Sequence, residues 1–432
     1  MRTRIYNARI LTMEKGREIF KGEVQIEDGQ ISCVKPYGEE ENRDDINKGI
    51  WDHEINAEGN LIMPGFKDAH THSPMTFLRS YADDMKLQEW LFDKVFPAEA
   101  KLTEDDIYWL TKLAVMEYLT SGITSSFDMY KLKHETARAS QEMGFRMVLC
   151  GDINDFGGTV QDVENDYLKY NKDRDSLISY RMGFHAEYTT SRELMEQLAE
   201  IADKYQTPVC VHCSETKKEV EECRERSGMT PVAYMDSLGL FRHGGVLFHG
   251  VHMDEADFDI MKKRGMYVVT NPASNLKLAS GIAPVKRYLD MGIPAAIGTD
   301  GPASNNCLDM FREMFLVTGL QKVYCDDPEA VPAADVLQMA VTNGAHAMGL
   351  TDCDCIAPGK KADLILIDLT QPNMQPLHNI EKNIVYSASK QNVKMTMVNG
   401  RVLYQDGTFH IGDTKENIYE NANRIAERIL GE

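Results

Sequence analysis

The segment Met63-Pro-Gly-Phe-Lys-Asp-Ala-His-Thr-His72 carries the pattern that decides how this chain is organised. It has the character of a short β-strand that ends in two histidines with one residue between them. Because residues two apart on a strand point to the same face, His70 and His72 can reach one metal ion together. A lone His-x-His pair also occurs on ordinary exposed strands, so its meaning depends on the rest of the sequence.

Short apolar runs alternate with amphipathic helical patterns through the middle of the chain. There are eight such runs, at 62–72, 123–128, 145–152, 180–185, 209–213, 246–249, 267–271 and 295–300. Helical periodicity lies between them, at 104–120, 191–205, 255–263 and 285–291. Eight strands that alternate with helices predict an α/β fold, the (β/α)₈ TIM barrel.

Both ends of the chain carry β patterns and lack helical periodicity. These patterns lie at 5–13, 19–27 and 30–34, and again at 362–368, 393–398 and 401–404. Asn399-Gly400, between the last two, is a strong hairpin signal. We therefore predict that residues 1–62 and 358–432 pair into one small composite β-sandwich domain. Residues 63–357 would then form the metal-dependent catalytic barrel.

Composition limits the classes of partner. The formal net charge of −20 repels a phosphate backbone or an anionic membrane surface, so nucleic acid and membranes are not expected partners. The sequence contains neither an apolar run long enough to cross a bilayer nor a signal-peptide pattern at its start, which predicts a cytoplasmic protein. Nine cysteines, most of them in apolar runs, do not imply a disulfide framework.

A TIM barrel builds its active site at the C-terminal ends of its strands. Polar residues lie at or just after these ends: His70, His72, His185, His212, His249 and Asp300. Three imidazoles and a carboxylate, from His70, His72, His212 and Asp300, form a ligand set for a divalent ion such as zinc, with room for water. Such an ion lowers the pKa of its bound water to about 7, which predicts a hydrolytic site.

Glu215 follows His212 by three residues and can lie above the metal without binding it. A carboxyl group in that place can carry a proton from water to a leaving group. The alternative role is to cap the helix that the following residues predict.

Several motifs resemble those of the amidohydrolase superfamily. They are Pro64-Gly-Phe-x-Asp68-x-His70-x-His72, Val211-His212-x-x-Glu215, Leu247-Phe-His249-Gly-Val-His252, Asn271-Pro-Ala-Ser-Asn275-Leu-Lys-Leu278 and Gly298-Thr-Asp300-Gly-Pro-Ala-Ser-Asn305-Asn306. Within that superfamily, the chain is most similar to the methylthioadenosine/S-adenosylhomocysteine deaminases, over nearly its whole length.

The resemblance implies roles for these residues. The four ligand candidates would hold one divalent ion, usually zinc, with ferrous iron as an alternative. Asp300 would accept a proton from the bound water, His249 would hydrogen-bond the attacking hydroxide, and Glu215 would protonate the purine ring at N1. Attack at C6 would release ammonia. Members with two metals use a carboxylated lysine at the end of the fourth strand; His185 stands there, so we expect one metal.

The resemblance also implies substrate contacts. The connection 73–103 is too long for a plain loop and carries an apolar pattern that can cover the site as a lid, or can dock against a neighbouring subunit. Trp90 and Glu99 within it match residues that contact the base or ribose, with the carboxylate on the sugar hydroxyls. His185 matches a residue that faces the purine nucleoside. A homodimer or higher homo-oligomer is expected.

One departure from the family bears on the substrate. Members that act on S-adenosylhomocysteine place arginines after the third strand, where they grip the amino-acid carboxylate. Here the segment 150–158 is acidic and has no arginine, so adenosine, methylthioadenosine or a related aminopurine fits better. Two alternatives remain: an enzyme for another aminated or halogenated heterocycle, such as guanine or a triazine, and a barrel that serves as a scaffold without catalysis.

Overall fold

The chain ends form one sheet and the middle forms a barrel in the computed structural model, which describes residues 1–37 and 51–431. The strands are β1 (Arg2–Ile10), β2 (Phe20–Glu27), β3 (Gln30–Pro36), β4 (His53–Asn56), β5 (Leu61–Pro64), β6 (Phe66–Thr71), β7 (Ile123–Asp128), β8 (Arg146–Cys150), β9 (Ile178–Arg181), β10 (Gly183–Ala186), β11 (Val209–Cys213), β12 (Gly245–His249), β13 (Tyr267–Thr270), β14 (Ala295–Ile297), β15 (Leu364–Ile367), β16 (Val393–Val398), β17 (Arg401–Gln405) and β18 (Thr408–Phe409). The α-helices are α1 (Leu87–Glu89), α2 (Phe96–Glu99), α3 (Glu104–Thr120), α4 (Lys133–Met143), α5 (Val160–Tyr170), α6 (Arg192–Tyr205), α7 (Lys217–Ser227), α8 (Pro231–Ser237), α9 (Glu255–Arg264), α10 (Pro272–Lys277), α11 (Val285–Asp290), α12 (Pro302–Asn305), α13 (Met310–Tyr324), α14 (Ala333–Gln338), α15 (Gly344–Met348), α16 (Ile380–Tyr386) and α17 (Lys415–Leu430).

The sheet formed by the chain ends has the order β18-β17-β16-β15-β5-β1-β2-β3, with β4 paired to β1. Ile5 and Val24 from the N-terminal strands share a buried core with Leu364 and Met395 from the C-terminal ones. The predicted β domain built from both ends is confirmed, and its strands are joined in a single hydrogen-bonded sheet. Its boundaries, at 1–62 with 358–432 and at 63–357 for the barrel, stay a prediction.

The predicted run 62–72 divides into two strands at Gly65. β5 pairs with β15 in the sheet of the chain ends, whereas β6 is the first strand of the barrel. A Cβ atom on Gly65 would lie 2.1 Å from Cγ2 of Thr124, so a larger residue does not fit where the chain passes from one sheet to the other. The predicted barrel strand therefore began too early.

The barrel strands are parallel and lie in the order β6-β7-β8-β9 and β10-β11-β12-β13-β14. β9 and β10 follow each other with Met182 between them and together replace the single strand predicted at 180–185. The ring closes between β14 and β6, where the Asp300 N–H donates to the carbonyl of His70 at 2.9 Å and the Thr299 N–H donates to the carboxylate of Asp68 at 2.8 Å. The predicted (β/α)₈ barrel is confirmed.

The four helical segments that periodicity predicted are present as α3, α6, α9 and α11. α3 begins and ends at the predicted residues, because Thr103 caps its first turn and Asp106 returns the bond. The sequence did not predict α17, which packs Ile425 and Ile429 beside Leu110 of α3. No helix in the described part of the chain is both long and apolar enough to cross a membrane.

Candidate metal centre and active site

The predicted ligands meet at the C-terminal rim of the barrel. His70 lies on β6 one residue before its end, His72 follows β6, His212 lies on β11, and Asp300 follows β14. Parallel strands in a closed ring place these ends side by side, although the residues are far apart in the chain. The structure therefore brings together all four residues that the sequence selected.

The candidate ligand atoms of this cluster lie close to one another in overlapping groups. The Nε2 atoms of His70 and His212 are 3.1 Å apart, and Oδ1 of Asp300 lies 3.2 Å from Nε2 of His72 and 3.6 Å from Nε2 of His70. The potential ligand atoms of His70, His72 and His212 all lie within 4.8 Å of one another. Imidazole nitrogens and a carboxylate are the donor set that zinc prefers, so the residues fit a divalent metal.

Hydrogen bonds fix which ring nitrogen of each histidine faces the centre. Nδ1 of His72 is 2.5 Å from the carbonyl of Met129, and Nδ1 of His212 is 2.7 Å from the carbonyl of His185. A carbonyl accepts only from an N–H, so both rings carry a proton on Nδ1, and Nε2 is the nitrogen that faces the centre.

Asp300 is oriented by its own loop and by α10. One carboxylate oxygen accepts from the Gly301 N–H at 2.8 Å, and the other accepts from Ser274 Oγ at 2.5 Å and Ser304 Oγ at 3.0 Å. The backbone of Asp300 has φ +59°, and that of His249 has φ +75°. Such left-handed conformations are costly for residues other than glycine and concentrate at functional sites.

Burial and the charges within the cluster together set the protonation of the ligands. It lowers the pKa of His70 and of His212 well below the usual value, which favours the neutral imidazole that a metal needs. Burial alone would raise the pKa of Asp300, but the hydrogen bond and charge of His72 outweigh it and hold that pKa well below the usual range. The same pair raises the pKa of His72 to about 9 against the effect of burial.

Glu215 lies beside the centre and not within the ligand cluster. Its Oε2 is 3.8 Å from Nε2 of His249, and its Oε1 accepts from Ser280 Oγ at 3.1 Å. Glu219 accepts from the backbone N–H of Glu215 at 2.8 Å and so holds the turn that presents it. Burial raises the pKa of Glu215, so a proton stays on this carboxyl more readily than on an exposed one.

His249, which was predicted as a catalytic residue and not as a metal ligand, also lies close to the centre. Its potential ligand atoms lie within 4.8 Å of those of His70 and Asp300. Its Nδ1 is 2.8 Å from Oδ1 of Asn275, which leaves Nε2 facing Glu215. Asn275 lies in the quoted Asn-Pro-Ala-Ser-Asn motif, but nothing in its spacing indicated this contact.

A cavity of about 770 Å³ opens above the centre. The sequence-predicted substrate residues all line it, together with the catalytic candidates: Trp90, Glu99, His185, Glu215, His249 and Asp300. Trp90 and Glu99 come from the connection 73–103, which forms α1, a π-helical turn (Trp90–Val95) and α2. Residues of the segment predicted as a lid therefore line the cavity.

Hydrogen bonds hold two of the residues that line the cavity, Glu99 and His185. Tyr130 donates its hydroxyl hydrogen to Glu99, and burial raises the pKa of that carboxyl. Nδ1 of His185 lies 2.9 Å from Oγ1 of Thr189, and burial lowers the pKa of His185 to about 4. His185 is therefore neutral near pH 7 and can exchange hydrogen bonds with an uncharged heterocycle.

Comparison with known proteins agrees with this site. The model of the amidohydrolase family matches residues 61–403, which include the whole barrel and part of the sheet of the chain ends. The chain belongs to the amidohydrolase family. The resemblance drawn from the sequence motifs is thus confirmed.

Two curated members of the family match the chain over almost its full length. A 5-methylthioadenosine/S-adenosylhomocysteine deaminase of Desulforamulus reducens is 40% identical over 99% of both chains. A 5′-deoxyadenosine deaminase of Methanothermobacter thermautotrophicus is 38% identical over 96% of both chains.

A solved structure of another amidohydrolase-fold enzyme superposes on the whole chain. It is an adenosine deaminase from Xanthomonas campestris with bound zinc, which has a TM-score of 0.94 and 31% sequence identity. The match covers 100% of this chain and 99% of that one. The relative therefore shares the sheet of the chain ends as well as the barrel.

Proposed function

We propose that this chain is a cytoplasmic hydrolase that deaminates a purine nucleoside such as adenosine, methylthioadenosine or 5′-deoxyadenosine. The observation that carries the proposal is the convergence of three imidazoles and a carboxylate beneath a buried carboxyl group, Glu215, in one cavity. The three relatives above are each named for the deamination of an adenine nucleoside, and their likeness extends over the full chain.

One divalent metal, which we propose is zinc, would be held by His70, His72, His212 and Asp300. When bound, such an ion supplies a Lewis acid that lowers the pKa of water to about 7. We propose one ion and not two, because His185 occupies the place where two-metal relatives carry a carboxylated lysine. Metal analysis that finds two ions per fully active chain would contradict this count.

The protein side chains would move the protons of the reaction. Asp300 would accept a proton from water as the water oxygen adds to C6 of the purine. His249 would hydrogen-bond that oxygen through Nε2, which already faces Glu215 at 3.8 Å. Glu215 would donate to N1, and ammonia leaves when a proton reaches the amino group at C6. The raised pKa of Glu215 suits this role, because a general acid must hold its proton near the working pH.

The lid and the side wall would bind the rest of the nucleoside. Glu99 would accept hydrogen bonds from the ribose hydroxyls, with Tyr130 holding the carboxylate in place. Trp90 would cover the base or the sugar, since its side chain is buried and lines the cavity. His185 would face the heterocycle opposite the lid.

The charged groups that line the cavity bear on the 5′ substituent. Lys133 and Asp152 line it and form an ion pair, so the lysine charge is already neutralised. No arginine lies in 150–158 to form a bidentate clamp on a carboxylate. We therefore propose that the preferred substrates have a small or uncharged 5′ group and that S-adenosylhomocysteine is a poor substrate.

Ammonia release over a panel of compounds tests the proposed function. The panel includes adenosine, methylthioadenosine, 5′-deoxyadenosine, S-adenosylhomocysteine, guanine, cytidine and an aminotriazine, each assayed with the zinc-loaded protein. We expect turnover of the first three. Faster ammonia release from guanine or the triazine would show that the substrate class is a different one. If no compound releases ammonia and the protein binds no zinc, a scaffold without catalysis would be favoured.

A further inference from the structure

A carboxyl group is buried behind the loops that present the catalytic residues. Glu313 lies on α13 with 0% exposure, and none of the described residues that line the cavity belongs to that helix. Burial raises the pKa of Glu313 to about 8. A buried carboxyl group costs free energy unless its oxygens accept hydrogen bonds, so the donors around it show what it holds in place.

Each oxygen of Glu313 accepts a hydrogen bond from a different loop of the active site. Oε2 accepts from the backbone N–H of Ala273 at 3.0 Å, and Oε1 accepts from Nδ2 of Asn305 at 2.8 Å. Ala273 lies in α10, which follows β13, and Asn305 ends α12, which follows β14. The carboxyl group of Glu313 therefore joins the loops after the last two strands of the barrel.

The hydrogen bond to Ala273 fixes the part of α10 that reaches the metal centre. The next residue, Ser274, donates from Oγ to Oδ2 of Asp300 at 2.5 Å. The residue after it, Asn275, places Oδ1 2.8 Å from Nδ1 of His249. A shift of α10 would change both contacts together, so this side of Glu313 acts on the orientation of Asp300 and of His249.

Asn305 connects the other oxygen of Glu313 to the backbone beside Asp300. One amide hydrogen of Asn305 is donated to Glu313, and the same Nδ2 donates to the Thr299 carbonyl at 2.6 Å. Thr299 directly precedes Asp300, whose left-handed backbone persists only where its surroundings hold it. Glu313 thus reaches Asp300 by two routes, one through its side chain and one through its backbone.

We propose that Glu313 is a positioning residue of the active site, which holds α10 and the Asp300 loop in one fixed arrangement. Its effect on turnover rests on the proposed deaminase function, whereas its effect on the metal ligand Asp300 does not depend on the substrate. Replacement of a residue that orients a metal ligand typically costs about 10- to 100-fold in metal affinity or activity. Glu313 acts on Asp300 through one further residue, so we expect values at the lower end of this range.

Glu313→Gln tests the proposal because it keeps the shape of the side chain but replaces one acceptor with a donor. The glutamine can accept from Ala273 or from Asn305 but not from both in the present arrangement, and its amide places two donors against each other. We expect kcat for adenosine to fall about tenfold, with KM within about twofold of wild type, because the lid residues that bind the nucleoside are not affected. The dissociation constant for zinc, measured by competition with a chelator, should rise about tenfold.

Glu23→Gln is the matched control, in the sheet of the chain ends. Glu23 is also 0% exposed, and its two oxygens accept from Arg4 at 2.7 Å and from Gln25 at 2.6 Å. Both variants should unfold at a lower temperature than the wild type, since each leaves a buried donor without its acceptor. Only Glu313→Gln should change kcat and zinc affinity, which separates positioning from a loss of stability.

Asn305→Ala is a second variant, which removes the link to the Asp300 loop and keeps the hydrogen bond between Glu313 and Ala273. It should also weaken zinc binding, and it tests the proposal if Glu313→Gln does not fold. If purine nucleosides are not the substrates, adenosine releases no ammonia even with the wild type, but the zinc measurements still report on Glu313. Zinc affinity equal to that of the wild type in both Glu313→Gln and Asn305→Ala, with lower thermal stability alone, would overturn the proposal.

Discussion

Ser280 and Glu215 are 65 residues apart in the chain, yet Ser280 Oγ lies 3.1 Å from Oε1 of Glu215. His252 fixes the serine in turn, because its Nε2 is 2.7 Å from the Ser280 carbonyl. With Oε1 occupied by the hydroxyl, the proton of a neutral Glu215 is directed to Oε2, the oxygen that faces His249. The loop after α10 thus selects the oxygen from which the proposed acid donates.

Removal of the serine hydroxyl should therefore impair proton delivery more than binding. We expect Ser280→Ala to lower kcat for adenosine by roughly tenfold, about the value of one hydrogen bond, with little change in KM. This hydrogen bond lowers the pKa of Glu215, so its loss should move the basic limb of the pH–rate profile to higher pH. Ser280→Thr, which keeps the hydroxyl, should stay close to wild type, and an unchanged kcat and profile in Ser280→Ala would refute the role.

The loss of kcat on replacement of Glu215 should be larger for a more basic leaving group. Glu215→Gln should lower kcat for adenosine by about 10²- to 10⁴-fold, because ammonia needs a proton to leave. With 6-chloropurine ribonucleoside the loss should be smaller, since chloride leaves without one. Equal losses on both substrates would count against proton donation, and the zinc content should match that of the wild type.

Glu99 should act on substrates that carry ribose. Glu99→Gln keeps the size of the side chain but weakens its acceptance of sugar hydroxyl hydrogens, so KM for adenosine should rise about tenfold. KM for free adenine should change little. Glu89→Gln, an exposed residue of the same lid, is the control. Equal changes in KM for the nucleoside and the free base would show that Glu99 does not contact the ribose.

The sequence predicted the parts of the site that depend on strand order, and it missed those that depend on contacts between distant loops. His70, His212 and Asp300 could be identified because each ends an apolar run, and a barrel brings such ends together. Nothing local marks Ser280 as the partner of Glu215. The helix α17 was missed for a related reason: the β pattern before it extended the expected sheet to the end of the chain, whereas its apolar residues pack on α3.

Arg146 and Asp363 join the barrel to the sheet of the chain ends. Nε and one terminal nitrogen of Arg146 on β8 lie 2.6 and 3.0 Å from the two carboxylate oxygens of Asp363, just before β15. Both residues are almost fully buried, at 4% and 1% exposure. Arg146→Met should reduce the free energy of unfolding by about 3–5 kcal/mol, because it leaves a buried carboxylate without its partner. Arg146→Met combined with Asp363→Leu should recover part of the loss, since both charges of the pair are then removed. The recovery is partial, because the buried Lys67 loses the nearby carboxylate and the Asn399 N–H loses its acceptor.

The pH dependence of this pair identifies its electrostatic part. Burial would raise the pKa of Asp363, but the charge of Arg146 outweighs it and lowers that pKa. A carboxyl with a lowered folded-state pKa stabilises the fold above its unfolded pKa of about 3.9, and this contribution disappears as pH falls through the folded value. In Arg146→Met the effect of burial on Asp363 is opposed only by Lys67 and the Asn399 N–H, so its pKa is higher than in the wild type. Asp363 then takes up a proton at a higher pH, and the variant loses part of its penalty in free energy of unfolding. The difference in free energy of unfolding between wild type and Arg146→Met, measured by urea denaturation, should therefore be largest near pH 7 and become smaller in acid. A difference that does not change with pH would assign the effect to packing of the arginine side chain.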